Sequence, residues 1–176
     1  MKKKFLFIIG LFILSISLFG CGNMNTPRKK VEMLLMSYRN NGESIVSELN
    51  DYLSTLMIED AYFEDYKKVY LRQYQDLTYE IKDERIDGDN ATVTAQIEVY
   101  DYYKTENDVN DYITNNPDEF LNDGKSSILY RIEELNKENS RVTYTLDINL
   151  TKVNDEWTID TLTDDDLAKI HGTYIH

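Results

Sequence analysis

The sequence predicts an α+β fold in which N-terminal helices pack on one face of a curved, cone-like, four-stranded antiparallel sheet. A change of period carries that prediction. From residue 26 to about 75, apolar side chains recur every three or four positions, as on one face of a helix; after residue 76 they alternate at every second position. A second observation is that the alternation is interrupted, because a helical insertion from about 104 to 140 separates the second and third strand runs. Helices on one side of an antiparallel sheet give two layers around one core.

The helices come first. Thr26 can cap a helix whose first position is Pro27, where a missing N–H costs nothing. Val31, Leu34, Leu35 and Tyr38 follow on one face, and Asn40, Asn41 and Gly42 stop the helix. A second helix from about Ser44 to Met57 aligns Ile45, Leu49, Tyr52, Leu53 and Leu56. A third from about Asp60 to Gln75 carries Tyr62, Tyr66, Tyr70 and Tyr74 at strict four-residue intervals. That ladder reads as a packing face whose hydroxyls reach water, or alternatively as an aromatic interaction face.

Leu77, Tyr79 and Ile81 then alternate with polar residues into the turn cluster from Asp87 to Asn90, a strong hairpin signal. Ala91, Val93, Ala95, Ile97 and Val99 share one face of the second strand. Val142, Tyr144, Leu146, Ile148 and Leu150 share one face of the third. Clean alternation of this kind marks strands buried on one side only. Asn154 and Asp155 turn the chain into a last strand with Trp157 and Ile159. In the insertion, Thr105 is expected to cap a helix bearing Val109, Tyr112 and Ile113, ended by Asn115, Asn116 and Pro117. A turn with Phe120 and Leu121 closes at Asp123 and Gly124, and Ser126 or Ser127 caps a helix presenting Ile128, Leu129, Ile132 and Leu135.

Ahead of this domain, Lys2, Lys3 and Lys4 precede an apolar run from Phe5 to Phe19, too short to span a bilayer comfortably. The run ends in Leu18, Phe19, Gly20 and Cys21, and Cys21 is the chain's one cysteine. These four residues resemble the lipobox of bacterial lipoproteins. The resemblance implies that residues 1–20 are a removed signal peptide and that Cys21 carries a diacylglyceryl group as the new N-terminus. Residues 21–25 would then be a lipidated cysteine and short tether, and 26–176 a single domain. The implied location is the outer face of the cytoplasmic membrane, with the lipid on Cys21 as the attachment. Two acyl chains hold a protein stably where one does not.

Without the three leader lysines, 16 basic face 32 acidic side chains, a net charge of −16. Such a surface repels nucleic acid and anionic headgroups and suits a basic protein or an envelope component as partner. A lone cysteine excludes an intramolecular disulfide, so the core alone must hold the fold. With 14 Tyr and 6 Phe in the chain, aromatic content is too high for disorder.

Three stretches, TPRKKVE at 26–32, QIEVYDY at 96–102 and YTLDINLTK at 144–152 with Trp157 beyond, resemble Gram-positive surface lipoproteins. The element order is similar to the cone of nuclear transport factor 2-like and cystatin-like folds. Those resemblances imply an architecture, while function must be argued from the site.

Motifs for chemistry are few. There is no Gly-x-Ser-x-Gly elbow and no Ser-x-x-Lys. His171 and His176 are too far apart for one helical turn and read as solvated tail residues. Asp83, Asp87 and Gly88 fit part of a calcium loop, but Arg85 and Thr94 fall where ligands are required, so the segment reads as a hairpin turn. Asp164, Asp165 and Asp166 after Thr163 read as a helix N-terminus. No metal or cofactor is expected.

Two functional readings follow. The first is a non-catalytic, membrane-tethered domain binding a protein, peptide or envelope component through the cone mouth or through Tyr62, Tyr66, Tyr70 and Tyr74, with Tyr100, Tyr102 and Tyr103 as further rings. The second is a small-molecule-binding or isomerase-like cone whose pocket holds Tyr79, Asp101, Tyr144 and Trp157. There Asp101 would be the one candidate base, unless it lies at the rim as a strand-end carboxylate.

Overall fold

The computed structural model describes residues 25–121 and 126–175; the leader, Cys21, Asp123, Gly124 and His176 lie outside the described residues. The order is α1 (Pro27–Arg39), α2 (Glu43–Thr55), α3 (Asp60–Gln75), β1 (Thr78–Asp87), β2 (Asn90–Tyr100), α4 (Tyr102–Asn115), a 3-10 turn (Pro117–Glu119), α5 (Ser127–Lys137), β3 (Arg141–Val153), β4 (Glu156–Ile159) and α6 (Asp164–His171). The fold is α+β as the periodicity predicts. The sheet is an antiparallel meander in the order β1-β2-β3-β4.

Local chemistry sets the boundaries. Thr26 Oγ1 accepts a hydrogen bond from the Lys29 N–H at 3.2 Å, with Pro27 in the first turn. Thr163 and Asp166 form a reciprocal capping box at the start of α6. Both sheet hairpins are two-residue turns. Gly88 takes a φ of 60° in the first, and Asn154 and Asp155 take 52° and 64° in the second, the left-handed angles that tight hairpins need.

The faces follow the pleat. Val93, Ala95, Ile97 and Val99 on β2 are buried with Leu146, Ile148 and Leu150 on β3. The outer face is polar: Thr92 donates to Asn149 Oδ1 at 2.8 Å and Thr94 to Asp147 Oδ1 at 2.6 Å across the strands. α1 and α3 pack on the inner face. Val31, Leu35 and Tyr38 enter the core from α1, and Tyr38 meets Tyr74 edge to face at 5.1 Å. Trp157 is buried at the β4 end of the same core.

Three details depart from the sequence reading. Thr105 does not cap α4; Asp101 does, accepting from the Lys104 N–H at 3.0 Å, while Thr105 is buried inside the helix and donates to Glu138. Asn25 belongs to the folded domain rather than to a tether. Its side chain accepts from the Trp157 N–H at 2.9 Å and donates to the Asp155 carbonyl at 2.7 Å, pinning the chain start to the β3–β4 hairpin. His171 is buried, only 5% exposed, because α6 folds back onto α3.

One buried residue ties these parts together. Gln73 on α3 donates to the Tyr100 carbonyl at 3.1 Å and to the His171 carbonyl at 3.0 Å, and accepts from the Tyr100 N–H at 2.8 Å. Gly172 closes α6 beside it with a φ of 74°, where an added Cβ would lie 2.2 Å from Gln73 Nε2 and from the Tyr100 oxygen. Gly172→Ala should therefore cost about 2–5 kcal/mol, combining left-handed strain with overpacking. Gly42→Ala, whose added Cβ meets nothing closer than 3.5 Å, should stay within about 1 kcal/mol of the parent. Denaturant unfolding measures both, and equal effects would refute the claim.

Candidate functional site

A cleft of about 760 Å³ lies between the helical layer and the segment joining β4 to α6. Its size suits a drug-sized ligand or several side chains of a partner. The amphipathic α2 supplies one wall. Ile45 and Leu49 face inward there, while Glu48 and Asp51 stand on the solvent side. The opposite wall comes from Ile159, Leu162, Leu167 and Ala168, with Asp160 and Asp164 at its outer edge. Tyr38, Tyr74 and His171 reach the cleft from the core.

The imidazole of His171 sits in an aromatic surround, 4.3 Å from the Tyr52 ring, 5.5 Å from Tyr70 and 5.8 Å from Tyr74, centroid to centroid. Burial in that surround pushes its pKa down to about 4, so the ring is neutral at physiological pH. The Tyr38 and Tyr74 hydroxyls are driven the other way, upward, chiefly by burial and further by the Glu48 carboxylate. Among the described residues neither hydroxyl nor either His171 ring nitrogen has a hydrogen-bonding partner, and none of these atoms is sealed off from the cleft. Buried phenols ordinarily find partners. Three polar tips thus meet the cleft with their hydrogen-bonding capacity unused by the protein.

The residues singled out from sequence are distributed differently. Tyr66, Tyr70 and Tyr74 are 5%, 2% and 1% exposed, and Tyr62 is half-buried, so the ladder is core and not an open surface. Only Tyr74 of the four reaches the cleft. Tyr100 and Tyr102 are also buried, the first with its hydroxyl on Asp76 and the second donating to the Val69 carbonyl.

Tyr79 and Tyr144 lie in one cross-strand row on either side of Ile97. Tyr144 donates to the Tyr174 carbonyl at 2.9 Å, and its pKa is pushed up to about 12 by burial and then by Asp101. The structure therefore brings Asp101 near Tyr144. It also commits that carboxylate to capping α4, and it sets Trp157 apart at the β3–β4 hairpin. None of these four residues lines the cleft.

His171 gives a pH test. Its folded pKa lies below the unfolded value of about 6.5, so the unfolded chain binds the extra proton as pH falls. Its contribution to stability is complete above pH 6.5, declines as pH falls from 6.5 and is fully lost below about 4, amounting to roughly 3 kcal/mol. Denaturant unfolding between pH 7.5 and 4.5 should show a steeper loss for the native protein than for His171→Phe, which keeps an aromatic ring but cannot titrate. Parallel pH profiles would overturn the assignment.

No protein-family model matches the chain. No curated protein matches it either. Among solved structures the chain is similar to YcdA, a candidate lipoprotein from Bacillus subtilis, with a TM-score of 0.45 and 18% sequence identity. That similarity covers 76% of this chain and 47% of the other, so the chain spans less than half the length of the structure it matches.

Proposed function

We propose that this chain is a lipid-anchored, extracytoplasmic, non-catalytic binding domain, held at the outer face of the cytoplasmic membrane through Cys21 and taking its partner in the cleft between α2 and α6. The anchoring half of the reading rests on the lysine start, the short apolar run and the Gly20–Cys21 junction. The binding half is carried by one observation: a cleft of about 760 Å³ lined by Leu34, Ile45, Leu49, Leu162 and Leu167, with the polar-tipped rings of Tyr38, Tyr74 and His171 among them.

The same groups argue against catalysis. An acid–base catalyst works best with a pKa near the working pH. The cleft drives its imidazole down and its phenols up, leaving all of them neutral and weakly reactive near pH 7. A neutral, amphipathic floor suits retention of a ligand. The isomerase-like alternative needs an interior base, and Asp101 sits at a helix N-terminus outside the cleft.

Cys21→Ala should leave the precursor unprocessed and free of incorporated fatty acid when cells are labelled with it. The native chain should yield a mature species beginning at Cys21 with lipid mass on that residue. A mature protein beginning elsewhere and carrying no lipid would overturn the anchoring.

A further inference from the structure

The cleft carries information about the ligand it would hold, through the charge on its two lips. One lip is α2, where Glu48 and Asp51 are three residues apart and share a face. The other is the β4–α6 segment, where Asp160 and Asp164 flank Leu162. All four side chains are on exposed residues, and among the described residues none of the four is ion-paired to a lysine, arginine or histidine. Among the described residues no lysine or arginine lines the cleft. What sets these four acids apart is their place on either side of one apolar cleft; elsewhere some acids are ion-paired, as Glu32 is with Lys29 and Asp108 with Lys104, and others are not.

Between the lips the chemistry changes. Ile45, Leu49, Leu162 and Leu167 offer an apolar channel, and the tyrosine hydroxyls and neutral imidazole lie at its floor. A ligand complementary to this arrangement has an apolar centre flanked by positive charge on both sides. A single alkylammonium would satisfy one lip and leave the other unpaired. A purely apolar ligand would leave both carboxylate pairs facing it, with nothing gained from their field.

We propose that the cleft is a docking site for a basic amphipathic peptide segment, whose apolar side chains enter the channel while flanking lysine or arginine side chains meet Glu48 and Asp51 on one lip and Asp160 and Asp164 on the other. The proposal rests on the binding-domain reading above and names the chemistry of its partner. Unpaired acids on a rim steer a cationic partner during diffusion, and the apolar channel governs how long it stays.

The probe is the fluorescently labelled peptide Lys-Lys-Leu-Phe-Leu-Lys-Lys, followed by anisotropy against the full chain in phosphatidylcholine nanodiscs, with empty discs as the blank. Saturable binding is expected, weakening at least tenfold between 50 and 500 mM salt. Replacing Glu48, Asp51, Asp160 and Asp164 by their amides should also weaken it at least tenfold. The same loss of charge on the β1–β2 hairpin, as Asp83→Asn, Glu84→Gln, Asp87→Asn and Asp89→Asn, should change affinity less than threefold. That comparison separates a local site from the overall acidity of the molecule.

Ala168→Leu, which adds bulk to a half-buried wall position, should abolish binding while leaving the unfolding midpoint nearly unchanged. Equal losses from the lip and hairpin variants would overturn the proposal, as would full binding by Ala168→Leu. A peptide with glutamate in place of lysine that binds as well, and is blocked by Ala168→Leu, would leave the cleft as a binding site but refute the cationic partner. Dodecylammonium displacing the peptide with higher affinity than the peptide itself would assign the cleft to a small amphiphile and refute the peptide. Failure of every probe would refute this inference alone, since lipidation of Cys21 is read by a separate assay.

Discussion

The fold converges on the side-chain amide of Gln73. A fully buried amide must have its hydrogen bonds met, because the low dielectric around it makes an unmet one costly. Here both amide hydrogens and the oxygen are engaged, and all three bonds go to backbone rather than to side chains. The partners lie at the end of β2 and the end of α6, 27 and 98 residues away. One α3 side chain thereby fixes where the second strand stops, where α4 begins and where the last helix lands. The Tyr103 N–H completes the junction by donating to the Gly172 carbonyl at 2.7 Å. Only glycine fits at 172, since the amide and the Tyr100 carbonyl occupy the space of its Cβ. His171 is held in the cleft as a consequence, one residue before that glycine.

The tyrosines show how the core and the cleft divide the same residue type between them. Tyr66 donates to Glu106, Tyr100 to Asp76, Tyr102 to the Val69 carbonyl and Tyr144 to the Tyr174 carbonyl. Each delivers a large apolar ring to the interior and settles its hydroxyl on a nearby acceptor. Arg72 and Arg141 each place a guanidinium over the Tyr100 ring, at 4.0 and 3.9 Å, and both groups also donate to backbone carbonyls. Tyr38 and Tyr74 are buried to the same degree but meet the cleft with their hydroxyls unengaged. Burial alone therefore does not identify the site; the opening of these two rings onto the cleft does.

That distinction explains what was legible in the sequence. Strand faces, both hairpins and the Thr163 cap depend on neighbours a few residues away, and alternation or turn chemistry reveals them directly. The four-residue spacing of Tyr62 to Tyr74 locates a helix face, and it locates it correctly. It does not say what covers that face, because the covering rings come from α1, α2, α4 and α6. Gln73 is invisible for the same reason: a single polar residue among tyrosines reads as surface until its distant carbonyls are in place. His171 reads as a tail residue because nothing near it in sequence signals that α6 returns to α3. Asp101 and Thr105 both satisfy the rule for a helix cap, and only the register of β2 against β3, ending at Tyr100 opposite Arg141, selects the aspartate.

The start of the domain constrains how an anchored molecule would present its cleft. Asn25 is fastened to the β3–β4 hairpin, the Lys152 N–H donates to the Asp89 carbonyl, and the Arg28 N–H donates to Glu84. The first turn of α1 and both hairpin tips therefore share one end of the molecule. Four residue steps separate Cys21 from Asn25, at most about 14 Å of chain, so a lipid on Cys21 would hold this end against the bilayer. From there α1 rises about 1.5 Å per residue, which carries Leu34 and Tyr38 roughly 12 to 18 Å along the helix before they meet the cleft. β4 runs the same way, from Glu156 beside the hairpin to Ile159 on the cleft wall. The acidic lips would thus stand beyond a Debye length from the headgroups, about 8 Å at physiological salt. A lipid on Cys21 would then lie at the hairpin end and the cleft away from it, so a partner arriving from outside would reach the lips without competing with lipid.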